Sequence, residues 1–318
     1  MEITAAQRFS YGAAGHGNLK REMSDEMSWQ ILETAWDAGI RHFDTAPHYG
    51  IGLSERRLGE FLRTKPRDEY ILSTKVGRIL EPLPEVSGDD MENLFQVPRT
   101  HVRRYDYTLA GVRRSLEESL ERLGLDGVDI LYLHDPEKSG AALDATVGEG
   151  MQALGQLRAE GLVAAVGVGS MSVPALVAGT ETGVSDLHMI AGRYTLLEQP
   201  TESGLLQRML ERGVKGHVVS VYNSGILAQR RPPATAHYDY AQVSPELLQR
   251  ANRIADICEE HGVDLPTAAL AYPLQHEAIV AVGIGASRPQ HVIEGVARFE
   301  IAVPETLWDA LRTAGLVA

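Results

Sequence analysis

The sequence predicts an α/β protein, a (β/α)8 or TIM barrel with long loops on the C-terminal face and an extra C-terminal helix. Three observations carry this expectation. Strand-like and helix-like segments alternate along all 318 residues. About eight strands can be counted, each followed by a helix. Several strands are nearly continuous apolar runs, as expected of parallel strands covered on both faces. A doubly wound sheet is the competing arrangement. Length alone, at about 150 residues per domain, would suggest two domains. No composition break or linker interrupts the middle of the chain, so residues 1–318 read as one domain.

The strands come first. Phe9–Ala13 is the weakest. Gly39–Thr45, Tyr70–Val76, Val128–Leu133, Val163–Val168, Leu187–Ile190, His217–Val221 and Ala278–Val282 are short and rich in β-branched residues. Helical patterns lie between them. The clearest is Thr108–Leu123, where Leu109, Val112, Leu116, Leu120 and Leu123 recur at spacings of three and four, with Arg and Glu on the other face. Met27–Ala38, Ser54–Leu62, Leu143–Glu160, Val173–Gly179, Glu202–Arg212, Pro245–Glu260 and Pro289–Arg298 read similarly. Ser244 followed by Pro245 is an N-cap with proline at the first helical position. Pro304–Ala314 is the added helix.

Two stretches fit no simple unit: Arg78–Tyr107, with Pro82, Pro84, Gly88, Asp89 and Asp90, and Asn223–Val243, with Arg230-Arg231-Pro232-Pro233, Tyr238 and Tyr240. They follow the third and seventh strands. In a barrel those positions lie on the C-terminal face, where active sites form, so both are expected to wall a substrate and cofactor pocket.

Composition narrows the function. Asp plus Glu number 43 against 30 Lys plus Arg, a net charge of -13. Nucleic-acid binders show a basic face, so no nucleic-acid partner is expected. No apolar run approaches the roughly 20 residues that span a bilayer, and the N-terminus lacks the features of a signal peptide. A cytoplasmic protein with no membrane partner follows, and a homo-oligomer is left open. The lone Cys258 excludes an internal disulfide and a multi-Cys metal site, and reads as a packed helix residue. There is no P-loop, no G-x-S-x-G and no His pair with zinc spacing, so no metal is expected. Gly148–Ala153 matches G-x-G-x-x-A, but it lies inside a helical pattern and not between strand and helix.

Four polar residues gather at predicted strand ends. Asp44 ends the second strand and Tyr49 lies just beyond it. Lys75 lies near the end of the third, and His134 directly follows the apolar part of the fourth. In a parallel barrel these ends converge. A tyrosine with a pKa near 10 is a poor acid or base at pH 7. A neighbouring ammonium favours its phenolate, Asp44 would hold that ammonium, and His134 can hydrogen-bond the substrate or tyrosine oxygen. Taken singly, each residue reads as an ordinary cap, anchor or buried polar group.

These residues sit in motifs that resemble the aldo-keto reductase superfamily. The segments are Phe43-Asp44-Thr45-Ala46-x-x-Tyr49-Gly50-x-Gly52-x-Ser54-Glu55-x-x-Leu58-Gly59, Ser73-Thr74-Lys75-Val76-Gly77 and Asp129-Ile130-Leu131-Tyr132-Leu133-His134. The resemblance covers nearly the whole chain. It implies Tyr49 as general acid/base, with Asp44, Lys75 and His134 as its partners, and a nicotinamide dinucleotide extended across the barrel mouth. Ala191–Gln199, Tyr222–Ala228 and His134-Asp135 resemble the D-threo-aldose 1-dehydrogenase (L-fucose dehydrogenase) and pyridoxal 4-dehydrogenase group. The reaction implied is oxidation of an aldose hemiacetal to its lactone. Pyridoxal oxidation and general aldehyde reduction are the alternatives within the family. A barrel lyase with a Schiff base on Lys75 is the alternative from another class.

Two departures concern the cofactor. Relatives place Ser-Asn after the fifth strand and Gln near the sixth to hold the nicotinamide carboxamide. Here Gly169-Ser170 and Ala191 stand there, which turns attention to Ser170, Arg193 or backbone groups. Tyr222 is placed to stack, with Asn223, Ser224 and Gly225 beside it. Gly285, Ala286, Ser287 and Arg288 lead into a helix N-terminus suited to phosphate. NADP-preferring relatives supply Lys and Arg in this loop. Arg288 is the sole cation here, so NAD is expected over NADP.

Overall fold

The computed structural model describes residues 3–201, 203–239 and 241–318. Glu202, read as the start of a helix, and Tyr240, read as part of the second long loop, lie outside the described residues. Eight parallel strands close into a barrel: β1 (Phe9–Gly12), β2 (His42–Asp44), β3 (Ile71–Val76), β4 (Ile130–His134), β5 (Ala165–Ser170), β6 (Leu187–Ala191), β7 (Lys215–Val219) and β8 (Ile279–Ile284). Each pairs with its neighbours in chain order, and β1 pairs with both β2 and β8. The helices are α1 (Asp25–Asp37), α2 (Leu53–Leu62), α3 (Leu109–Leu123), α4 (Leu143–Ala159), α5 (Val173–Glu181), α6 (Leu205–Glu211), α7 (Pro245–Glu260), α8 (Leu265–Ala271), α9 (Pro289–Phe299) and α10 (Glu305–Thr313).

Period-two alternation divides each strand between two cores. On β3, Ile71 packs inside the barrel with Ile130, Tyr132, Ala165, Leu187 and Met189. Leu72 and Val76 face the helices in the larger outer core, with Leu116 and Val112 of α3. Ser73 and Lys75 continue the inward row above Ile71, so an apolar strand delivers a lysine to the barrel mouth. Cys258 is buried on α7, as its helix pattern predicts.

The strands differ in extent from the sequence reading. Residues 39–40 belong to the turn that ends α1, where Gly39 takes φ 88° and Ile40 N–H donates to Ala35 O. β7 stops at Val219 because Ser220 is left-handed, at φ 57°. The Ser244 cap forms as predicted, its hydroxyl accepting from Leu247 N–H at 3.2 Å. α8 escaped the sequence reading: it has seven residues, with a proline, Pro266, inside its first turn. Asp264 caps it by accepting from Thr267 N–H at 2.9 Å. α10 lies against α7 and buries Leu307, Trp308 and Leu311, each contributing roughly 1.5–3 kcal/mol by removal from water.

The stretch after β3 is not irregular. Arg78–Pro82 pairs antiparallel with His101–Tyr105, and Asp89–Asp90 with Phe95–Pro98. The stretch after β7 carries one short hairpin, His237–Tyr238 with Ala241–Gln242. Both reach the C-terminal mouth of the barrel.

Candidate active site

The four residues predicted to converge do so. In the strand register Asp44 lies opposite Ser73, and Lys75 opposite Tyr132 two residues before His134. The Lys75 ammonium donates to Asp44 Oδ2 at 2.6 Å and to Thr45 O at 2.9 Å. Ser73 Oγ donates to the other Asp44 oxygen at 2.7 Å. Lys75 Nζ lies 4.6 Å from the centre of the Tyr49 ring. The His134 ring meets that ring edge-on, 5.9 Å between centres at 88°.

Local packing fixes the Tyr49 loop. Thr45 and Ser54 hydroxyls share a 2.8 Å hydrogen bond, and Ser54 donates to Ala13 O at 2.7 Å. Gly17 and Gly50 touch through their backbones: a Cβ on Gly50 would come within 2.2 Å of Gly17 O. Only glycine permits that approach, and Gly50 also has φ 62°.

Electrostatics set the protonation states. Burial raises the Tyr49 pKa and outweighs the lowering by Lys75, so the phenol stays protonated at neutral pH. The sequence reading, which stressed the lysine's pull toward phenolate, named the smaller of the two effects. Burial opposes the charge on Lys75, but Asp44 and Tyr49 together raise its pKa. An ammonium held in this way is a poor Schiff-base nucleophile. Burial, with Arg78 and Lys75 nearby, holds His134 well below the ordinary histidine range, so it is neutral. Its Nδ1 is buried without a hydrogen-bond partner.

Tyr49 sits where two cavities of about 440 and 830 Å3 meet. The larger is the more polar of the two and is lined by His134, Lys75, His48, Arg78, Asp135 and Phe95, among others. Ser170 and Arg193 lie on it too, but both are engaged. Ser170 Oγ donates to Glu137 at 2.9 Å and accepts from Ser172 N–H at 2.8 Å. Arg193 donates to Met171 O, Glu198 and Asp239.

The smaller cavity runs across the mouth. Tyr222, Asn223, Ser224 and Gly225 line one side, and Gly285, Ala286 and Ser287 the other, with Gly12, Gly15 and Gly283 in its wall. Glycines leave the wall bare enough for a flat ligand. Asn223 Oδ1 is buried without a partner, and Ser220, Asn223 and Ser224 all have positive φ, the local strain typical of ligand sites. At the far end α9 begins with no side-chain cap on its free N–H groups, a setting that favours an anion. Arg288 lies outside the cavity lining and donates to His291 Nε2 at 2.7 Å. Arg21, which the sequence did not flag, donates to Ser287 O at 2.9 Å. An extended, anionic dinucleotide fits this trough.

Sequence reasoning also missed His48, Arg78, Asp90, Arg103 and Asp135. His48 and Asp135 stood inside the quoted motifs, beside Tyr49 and His134, and that adjacency was the available signal. Asp90 and Arg103 gave none, because a hairpin brings them together.

A family model described as the aldo/keto reductase family matches residues 8–314. The chain belongs to the aldo/keto reductase family. It is 48% identical to a D-threo-aldose 1-dehydrogenase from Pseudomonas sp over 98% of this chain and 95% of that one. It is 36% identical to a pyridoxal 4-dehydrogenase from Microbacterium luteolum over 96% and 93%, and 30% identical to an L-galactose dehydrogenase from Arabidopsis thaliana over 90% and 82%. Among solved structures, a glycerol dehydrogenase from Gluconobacter oxydans superposes with a TM-score of 0.75 at 21% identity, over 96% of this chain and 90% of that one. That likeness concerns the fold alone. As an aldo/keto reductase, the chain is an NAD(P)-dependent oxidoreductase with a small-molecule substrate. No helix among the described residues is long and apolar enough to cross a membrane.

Proposed function

We propose that this aldo/keto reductase is a cytoplasmic aldose 1-dehydrogenase, oxidising the hemiacetal carbon of an L-fucose or D-threo-aldose type sugar to a lactone. The observation that carries the reading is the Asp44–Lys75–Tyr49–His134 group at the junction of a polar cavity and an anion-suited trough. The 48% identity to a D-threo-aldose 1-dehydrogenase supports the substrate class.

Tyr49 takes the proton from the C1 hydroxyl in oxidation and returns it in reduction. A phenol with a raised pKa carries its proton at neutral pH and so has one to give in reduction. As a base it needs Lys75, whose fixed positive charge lies 4.6 Å from the ring centre and stabilises the phenolate as it forms. Asp44 keeps that charge in place. Neutral His134 binds the reacting oxygen and adds no second positive charge to the site. A nicotinamide dinucleotide would be held by Tyr222, Asn223, Ser224 and Gly225 and by Gly285, Ala286 and Ser287, and would supply the hydride acceptor or donor. Ser170 and Arg193, on the adjoining larger cavity, would meet its carboxamide only by exchanging their present protein partners. NAD is the preferred form, because Arg288 and Arg21 already donate to protein acceptors at the phosphate end.

The test is NAD(P)H formation with L-fucose, D-arabinose, L-galactose and pyridoxal, each with NAD+ and NADP+. The aldoses with NAD+ are expected to give the highest kcat/KM. Turnover of pyridoxal alone would replace the substrate assignment. Tyr49→Phe should lower kcat by at least about 1,000-fold, the upper range of acid–base contributions, with cofactor affinity retained. Near-normal turnover would remove Tyr49 from its role.

A further inference from the structure

Asp135 follows His134 directly and has an uncommon conformation, φ 40° and ψ 61°. Left-handed backbone at a residue other than glycine is strained, so a side chain is wanted here. Asp135 precedes the 3-10 turn Pro136–Ser139, yet its carboxylate caps nothing there. The carboxylate pairs instead with Arg78 and borders the polar cavity. Arg78 is itself almost fully buried and also donates to His134 O at 3.4 Å. A buried guanidinium thus fixes the direction of a carboxylate beside the catalytic histidine. Asp135 Oδ2 lies 3.7 Å from His134 Nε2. His134 binds the oxygen of the reacting carbon, and the two oxygens of a vicinal diol can span such a spacing.

We propose that Asp135 is a specificity-determining residue that accepts a hydrogen bond from the hydroxyl on the carbon next to the reacting one. The reading rests on the proposed use of hydroxylated substrates and names which hydroxyl is recognised. A carboxylate oriented by Arg78 selects a donor at that position and gains nothing from a hydrogen there. Its benefit falls on any α-hydroxy carbonyl compound, whether a ring-closed aldose or a short open-chain aldehyde.

The experiment compares NAD(P)H-dependent reduction of glyceraldehyde with that of propanal, in the parent enzyme and in Asp135→Asn. Asparagine tolerates left-handed backbone and keeps the shape. The ratio of the two kcat/KM values cancels any effect of the substitution on steps common to both substrates. The parent should favour glyceraldehyde, and the substitution should lower that preference roughly tenfold to hundredfold, the range for a charge-assisted hydrogen bond, mainly through KM. A parent with no preference for glyceraldehyde, or a preference unchanged in Asp135→Asn, overturns the proposal. The aldose assignment is judged separately. If the parent oxidises no aldose while the glyceraldehyde preference depends on Asp135, the aldose assignment falls and this inference stands.

Discussion

The two long connections at the barrel mouth look alike in sequence and are held in opposite ways. The one after β3 is a paired hairpin with its own small core of Ile51, Leu80, Phe95 and Val97. Its anchor is an ion pair removed from water, Arg103 with Asp90, whose side chains are 8% and 0% exposed. The connection after β7 is tied by Arg193 to Asp239, at 17% and 37% exposure, and by Arg230 and Arg231 to Asp256 and Glu259 on α7. A buried pair needs every bond satisfied, while a surface pair is worth little and is screened by salt. The first connection is therefore expected to be the firmer wall of the larger cavity, and the second a looser cover near the smaller one.

The wall also decides chemistry. Arg103 Nε donates to His48 Nδ1 at 2.6 Å and its Nη2 donates to His48 O at 2.9 Å. A guanidinium is always a donor, so His48 Nδ1 must accept and its Nε2 carries the proton. Burial and the nearby Arg78 and Arg103 push its pKa down to about 2, so that tautomer stays neutral. His48 is thus a fixed donor on the same cavity as the acceptor Asp135. Arg78 and Arg103, from the two strands of one hairpin, hold these two groups.

The largest effect that would break the contrast is expected from Asp90→Ala. It leaves Arg103 buried and unpaired, at a cost of about 3–5 kcal/mol. The urea unfolding midpoint should fall accordingly, and a change under 1 kcal/mol would show that the wall is no firmer than the cover.

The next effect is acid loosening. His16, His48 and His188 have pKa values pushed down by burial to about 3, about 2 and about 4. Below about pH 6.5 the unfolded chain binds protons that the folded chain does not, so stability rises with pH across this window. It is complete above that value and is lost as the pH falls toward the folded values, by up to about 1.4 kcal/mol per pH unit for each histidine. Urea midpoints at pH 7, 6 and 5 check the slope. In Arg103→Met the slope should flatten, because His48 loses a guanidinium that helps hold its pKa down. A midpoint independent of pH would contradict the buried, neutral assignment.

The smallest effect is Asp239→Asn. It should shift stability by no more than about 1 kcal/mol, yet speed proteolytic cleavage near residues 229–239. High salt on the parent should act in the same direction. Loss of stability comparable to Asp90→Ala would erase the distinction between wall and cover.

The sequence was most legible where one physical rule acted alone. Apolar runs gave the barrel strands, and the leucine spacing of 109–123 gave α3. It was least legible where two rules competed. Residues 39–40 carry strand-like composition, but the end of α1 claims them through Gly39. Arg78 and Arg103 read as loop charges because alternation in a hairpin over the barrel mouth follows neither core.

By itself the sequence determined the closed barrel and which polar residues gather at its mouth, because Asp44, Lys75 and His134 stand at the ends of strands whose direction and order local pattern dictates. Tertiary structure alone decided that Tyr49 is held as a phenol, that Arg78 orients Asp135, and that Arg103 selects the tautomer of His48. Each of these depends on how much water is excluded and on which distant charge arrives, and neither quantity is encoded in spacing along a chain.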